Sequence, residues 1–591
     1  MKRCSALVTA ICLSSAACKK EEPAAPEAKV EGPATPTTAG PTPTSPTPTI
    51  PGTPVVAPVP AVATAPSYTA ELDPLLDLVP AGAKQFLVTR DPNEVLDEVT
   101  RTIAAMRPSL LRAFELDDDA DADVARVVKD FESVRGKIAT SGIDFDRGMV
   151  IVDGETESDV FVFAATDPEA LNKLQVALGF KPDPMKCQAL ADVAGYVACA
   201  EKDDGALAKY VPAKAAAARR AELGKELAGV DLEHANMLGR FENDKTGGFW
   251  TIAISTVPSL VQVHVATKLA DDFETFATPG PAPALALAPV GSSFVWGRFA
   301  TAFVTEKAKS GPAMFGAVAA TLTGEYFVGS LAAPNAIVAI AGVTDAGPTA
   351  SLVPMFGLVQ DQVPKTLPDG TALAMKVDSV DAGTGTNVQA LHASGTGKHA
   401  DLFTKAGLAP EGVAFAAGKY AAIVLGAGTS AVAPLAKFDA AAAETPVVST
   451  LPAELATSLQ GGTASLAVHL ELDGLQNPAL RDIIEQLLAE LPASKPGTPA
   501  PKELLDVALG MFAPFSSASL WITGDGPSVV HVALRSYDEA SPERAFARVA
   551  RTEGSVAAIA PALGGVALLG AFAYFAAVGR KKEEAVAAPP R

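Results

Sequence analysis

The chain has 591 residues, 48 % of them hydrophobic, with a net charge of −20 and a pI near 4.8. Such acidity repels phosphate backbones and excludes nucleic acid as a partner. Three Trp and seven Tyr supply few stacking surfaces for sugars or bases. The length is enough for three or four folded units of about 100–200 residues each.

Residues 1–18 read as an export signal. Lys2 and Arg3 form a basic start, Ala6 to Leu13 a short apolar run, and Ser14-Ser15-Ala16-Ala17 leads into Cys18. These residues resemble a bacterial lipoprotein signal, and the resemblance implies lipidation at Cys18, which would become the mature N-terminus. The position three before the cysteine, apolar in that family, is Ser15 here. A plainly cleaved signal and an uncleaved anchor remain the alternatives. The apolar run falls short of the about 20 residues a spanning helix needs.

Residues 19–68 form a Pro/Thr/Ala-rich linker, with almost no large apolar side chain between Glu21 and Pro66. Such a segment buries too little surface to offset chain entropy, so disorder is expected. Extended as polyproline II at about 3.1 Å per residue, it would reach about 140 Å.

The body shows internal similarity. Three Pro-x-Gly turns each precede an apolar run: Val79-Pro80-Ala81-Gly82, Ala288-Pro289-Val290-Gly291 and Leu367-Pro368-Asp369-Gly370. Hairpins are expected at 149–165, 249–267, 326–343 and 520–534, where alternating apolar residues flank polar turns. Helical spacing marks 94–112, 120–140, 168–178, 206–227, 478–491 and 502–512. The fold class is therefore α+β, with duplicated domains of antiparallel hairpins packed with helices at 69–278, 279–444 and 445–552. These modules resemble, on pattern alone, an uncharacterised family of bacterial envelope proteins built of α+β repeats. That resemblance implies no catalytic residues.

Cys4 and Cys12 lie in the signal, which leaves Cys187 and Cys199 in the body. In an exported protein an even pair suggests a disulfide. The intervening residues read as a hairpin turning at Asp192 to Gly195, which would set the two cysteines opposite each other. Two free thiols are the alternative; a metal site lacks a CxxC or a neighbouring His.

Chemistry-bearing motifs are scarce. No G-x-S-x-G, HExxH or CxxC occurs. Ser394-Gly395-Thr396-Gly397-Lys398-His399 approaches a phosphate loop but has His392 for the first glycine and His399 for the metal-binding hydroxyl. Asp119, Asp121, Asp123 and Asp130 are spaced as in a calcium loop, yet Val124 holds the place of the turn glycine. Acidic residues at a helix start account for that cluster. Of the six histidines, His264 and His531 sit among valines in predicted hairpin strands and are expected to face solvent. Only His392 and His399 approach ligand spacing. Trp250, Trp296 and Trp521 are expected in the core. No catalytic, cofactor-binding or metal-binding residue is assigned, and no cofactor.

Ser555 to Val578 is free of charged residues and is followed by Arg580-Lys581-Lys582. At about 1.5 Å per residue it spans about 36 Å against a hydrocarbon core of about 30 Å. A C-terminal transmembrane helix at 555–578 with a short tail at 579–591 is expected. The sequence thus points to a non-enzymatic cell-envelope protein with its body in the periplasm. It would be anchored in the inner membrane and act as a binding or spacer module for a protein or envelope-polymer partner. An exported hydrolase and a lipid or apolar-ligand carrier are the alternatives.

Overall fold

A computed structural model describes residues 67–536, except 95–132, 154–158, 179–184, 201–204, 244–247, 258–259, 268–276, 303–304, 306–312, 332–335, 356–365, 367–369, 371, 384, 406, 439–444, 473–514 and 525–527. The signal with Cys18, the linker, the acidic cluster at 117–123, the helices expected at 478–491 and 502–512, and the segment 555–578 lie outside these residues. Among the described residues no helix is long and apolar enough to cross a membrane.

β-branched runs broken by Gly and Pro turns fold as strands. The first half holds β1 (Phe86–Thr89), β2 (Ile143–Val152), β3 (Val160–Ala165), β4 (Lys186–Ala189), β5 (Tyr196–Ala200), β6 (Met237–Asn243), β7 (Gly248–Val257) and β8 (Leu260–Thr267). The second holds β9 (Phe294–Arg298), β10 (Leu322–Leu331), β11 (Ala336–Val343), β12 (Ala372–Asp381), β13 (Asn387–Thr396), β14 (Glu411–Ala417), β15 (Tyr420–Leu425), β16 (Ala464–Glu471), β17 (Phe515–Thr523) and β18 (Ser528–Ser536). Helices include α1 (Thr69–Leu78), α2 (Ala170–Ala177), α3 (Ala206–Lys209), α4 (Ala216–Glu226), α5 (Ala313–Ala319), α6 (Gly347–Ala350), α7 (Lys398–Lys405), α8 (Val432–Ala436) and α9 (Ala453–Gln460). The α+β class and all four expected hairpins are borne out, as β2–β3, β7–β8, β10–β11 and β17–β18. The helix expected at 206–227 is two, α3 and α4, parted at Pro212, which lacks the N–H that continuing the helix needs.

Among the described residues every strand joins one 18-stranded antiparallel sheet. Its order is β4-β5-β3-β2-β1-β6-β7-β8-β18-β17-β16-β9-β10-β11-β15-β14-β13-β12. The two halves repeat one plan. β9 takes the place of β1, flanked by β10 and β16 as β1 is by β2 and β6. β17 and β18 then match β7 and β8, and the halves meet where β8 pairs with its own counterpart. Gly82 and Gly291, both at positive φ, turn the chain into β1 and β9. The third turn, at Gly370, instead leads into the β12–β13 hairpin at the far end of the sheet.

The repeat extends to irregularities. Gly148 near the middle of β2 and Gly324 early in β10 are left-handed, at φ +83° and +86°, and each stands where the register shifts. A Cβ on Gly148 would lie 2.8 Å from the Thr89 carbonyl oxygen, and one on Gly324 2.2 Å from that of Phe299. Only glycine fits either bulge.

One face of the sheet carries the cores. A row of directly opposed residues runs from the junction of the halves to both flanks. On one side it passes through His264, Ala253, Leu238, Val88, Val150, Val162 and Ala198. On the other it passes through His531, Trp521, Ala467, Trp296, Phe327, Ile340, Ala422, Phe415 and Ala390. All are buried. The first half packs its row under α1 and α4 with Leu72, Leu75, Leu76 and Leu223. The second packs Trp296, Trp521 and Phe327 against Leu455 and Leu459 of α9 and Val432 and Leu435 of α8. Strands β8 and β18 bridge the two cores, since Val529 belongs to the first and Ala533 to the second.

Two expectations fail here. His264 and His531 do not face solvent: His264 is 0 % exposed and His531 is buried as well. Alternation shows which residues share a face, but the intervening valines make both faces apolar, and the helices cover the histidine side. Trp296 and Trp521 are core residues, whereas Trp250 is 57 % exposed. It lies one residue out of phase with Thr251 and Ala253, which take the buried face of β7.

Candidate functional site

Antiparallel pairing of β8 with β18 brings two copies of one tetrapeptide together. Val263-His264-Val265-Ala266 and Val530-His531-Val532-Ala533 pair so that the histidines are directly opposed. Their Nδ1 atoms lie 2.8 Å apart, a hydrogen bond across the junction. His531 Nε2 lies 2.8 Å from the Thr523 hydroxyl of the neighbouring β17. Trp521 stacks flat on the His531 ring, at 4.7 Å and 3°, and meets the His264 ring edge-on. These contacts leave the His531 ring little freedom to turn.

The third member comes from α9. Pro452 starts this helix, and Leu455 and Leu459 point into the second core, which sets its rotation. Glu454, in the first turn, then reaches over β8, and its Oε2 stands 3.5 Å from His264 Nε2. Gln262 Nε2 lies 3.4 Å from the same oxygen. The Glu454 side chain is about a quarter exposed, so the cluster opens to solvent on this side only. Asp231 and His234, 3.3 Å apart, lie close enough to influence Glu454.

Burial governs the protonation of all three. It lowers His264 to about 4, and it lowers His531 to about 3 with help from the charge of His264. Both rings are therefore neutral near pH 7, and the 3.5 Å approach to Glu454 is not an ion pair there. Glu454 is pushed up to about 7, chiefly by burial and next by the Asp231 carboxylate. The Asp231 backbone N–H and His234 offset part of that rise. His264 Nε2 has no hydrogen-bond partner although its ring is fully buried. One donor atom each from His264, Glu454 and His531 lies within 4.8 Å of the other two.

Comparison with protein-family models, curated proteins and solved structures finds no match. The functional reading rests on the chain's own chemistry.

Trp521 Nε1 and His392 Nε2 are also buried without a hydrogen-bond partner, whereas Glu325 and His469 are satisfied locally. Glu325 on β10 accepts from the Ala284 N–H at 3.0 Å and from Trp296 Nε1–H at 3.1 Å, and burial raises its pKa. His469 on β16 bonds Ser519 at 2.8 Å and Glu471 at 3.2 Å. His392 on β13 lies between Asp378 and Glu411, 3.4 Å from each through opposite ring nitrogens. His399 belongs to α7, so the spacing of His392 and His399 spans a strand and a helix. The near-phosphate sequence 394–399 covers the same strand-to-helix step.

Cys187 and Cys199, the disulfide pair expected from sequence, are direct cross-strand partners on β4 and β5 and are bonded. The turn runs through Gly195 at φ +79°. No sequence motif marks the histidine–glutamate cluster. Its one legible trace is the repeated Val-His-Val-Ala, which period-2 reading places on a strand without showing that the two copies meet.

Proposed function

We propose that this chain is an exported bacterial cell-envelope protein that holds its sheet outside the cytoplasm as a binding or spacer module. It would be pinned to membrane by a lipid at Cys18 and by the uncharged segment at 555–578, with a protein or envelope polymer as partner. The Cys187–Cys199 disulfide carries this reading, since such bonds persist in oxidising compartments and are rare in the bacterial cytosol. The sheet's continuity across the junction of its two halves suits a rigid scaffold. Labelling cells with palmitate and separating membranes, with wild type and Cys18→Ala, tests this. The label should appear on wild type and vanish in C18A, with both proteins in the membrane fraction. Recovery of the protein in the cytosolic fraction would overturn the proposal.

A second reading, an apolar-ligand carrier, is favoured by one feature. A recess of about 570 Å³ lies among Tyr326, Val328, Ala341, Leu352, Leu391 and Ile423, lined almost wholly by apolar atoms. Mass spectra of the purified protein would show a co-purifying lipid if this recess carries cargo, and none if it does not.

A further inference from the structure

Three side chains far apart in sequence, His264, Glu454 and His531, converge at the seam between the two halves of the sheet. We propose that they bind one divalent transition metal of the zinc class.

The donor set selects the ion. Two imidazole nitrogens with one carboxylate suit zinc and its neighbours, whereas calcium and magnesium favour all-oxygen sites. Three protein ligands leave a fourth position, which Glu454 keeps open toward solvent.

The spacing of the donor atoms marks the site. The 3.5 Å between His264 Nε2 and Glu454 Oε2 is long for a hydrogen bond. It is close to the roughly 3.3 Å that separates two ligands on a tetrahedral ion with bonds of about 2.0–2.1 Å. Leaving a fully buried ring nitrogen without a partner is unfavourable, and the His264 Nε2 is in that state. An ion bound there removes the penalty.

The surroundings prepare His531 as a ligand. Its Nε2 is engaged by Thr523, which directs Nδ1 toward the cluster, and Trp521 fixes the ring plane. Such orienting partners are the usual outer shell of a metal-bound histidine. For His264 Nε2 and His531 Nδ1 to ligate one ion, the 2.8 Å Nδ1–Nδ1 hydrogen bond is given up and these donor atoms close from within 4.8 Å to about 3.3 Å. In the buried row that crosses all the central strands, every other position is apolar. Two polar rings at its centre serve packing poorly; a hydrogen-bonded pair with no ion is the competing account.

Full-length protein in detergent, stripped with EDTA and dialysed, is titrated with Zn²⁺ and with Co²⁺ as a spectroscopic probe. Wild type should retain about one Zn²⁺ per chain and show a Co²⁺ d–d band. E454Q, altered at the partly exposed rim where folding is least at risk, should bind at least tenfold more weakly. E411Q, at the separate His392 cluster, should bind as wild type does. Zn²⁺ should also raise the melting temperature of wild type and not that of E454Q. Absence of retained metal in wild type, or equal affinity in wild type and E454Q, overturns the proposal and leaves the histidines as a structural hydrogen bond.

Discussion

His264 and His531 are the same residue of two copies of one tetrapeptide, and their Nδ1 atoms meet at 2.8 Å where the two halves of the sheet join. An antiparallel pair formed by two equivalent strands has a local two-fold axis, and any residue on that axis faces its own counterpart. The buried histidine pair follows from the repeat.

That pair makes the stability of the metal-free protein pH-dependent. His264 falls to about 4 and His531 to about 3, against an ordinary 6.5. The unfolded chain therefore takes up these protons first as pH drops. Their contribution is complete above about 6.5 and is lost as pH falls through the folded values. Glu454, raised to about 7, acts in the opposite sense: its contribution is complete below 4.5 and is lost as pH rises through 7. Between 4.5 and 6.5 two histidines outweigh one carboxylate, at about 1.4 kcal/mol per pKa unit. The melting temperature of EDTA-treated protein should fall from pH 6.5 to 4.5, and a H264Q/H531Q variant should reverse that limb, leaving the opposite trend of Glu454. A flat profile in wild type would refute the assignment.

Glu325 should behave as a buried acceptor. E325A leaves the Ala284 N–H and the Trp296 indole N–H without a partner and should cost about 2–4 kcal/mol. E325Q retains a carbonyl oxygen and should cost less than half as much. Urea unfolding of the three proteins gives the ranking, and equal losses would argue against the two hydrogen bonds.

The paired bulges predict paired effects. G148A and G324A each force a Cβ against a backbone carbonyl at positive φ and should each cost more than the about 1 kcal/mol of an ordinary glycine replacement. Because the sites lie in different halves, the double variant should show additive losses. A neutral effect at either site would remove it from the repeat.

The Cys187–Cys199 bond closes a short loop at one edge of the sheet. C187S/C199S should lose about 3 kcal/mol in the chain-entropy account. Hydrogen exchange should rise in β4 and β5 and stay unchanged at β8 and β18. Loss of protection across the whole sheet would contradict a local role.

Much of the scaffold is legible along the chain. Alternation marks the hairpins around Val160 to Phe163 and Val261 to Val265, and Pro-x-Gly turns mark Gly82 and Gly291. Strand order is not legible, because β8 pairs with β18 across more than half the described chain and no local signal encodes that. The same gap hides the site. Glu454 and His264 are joined only by the register of β8 against β18 and the rotation of α9. Facing is lost too: where valines alternate with histidine, both faces can be buried, and helix placement decides which one is core.

The account turns on export, and the redox state of the two body cysteines tests it most directly. Cells are lysed into acid, thiols are alkylated with a mass-tagging maleimide, and Cys187 and Cys199 are read by peptide mass spectrometry with and without prior reduction. Export predicts that both cysteines stay untagged until reduced, then take one tag each. Tagging of both in the unreduced sample would place the chain in a reducing compartment and contradict the account.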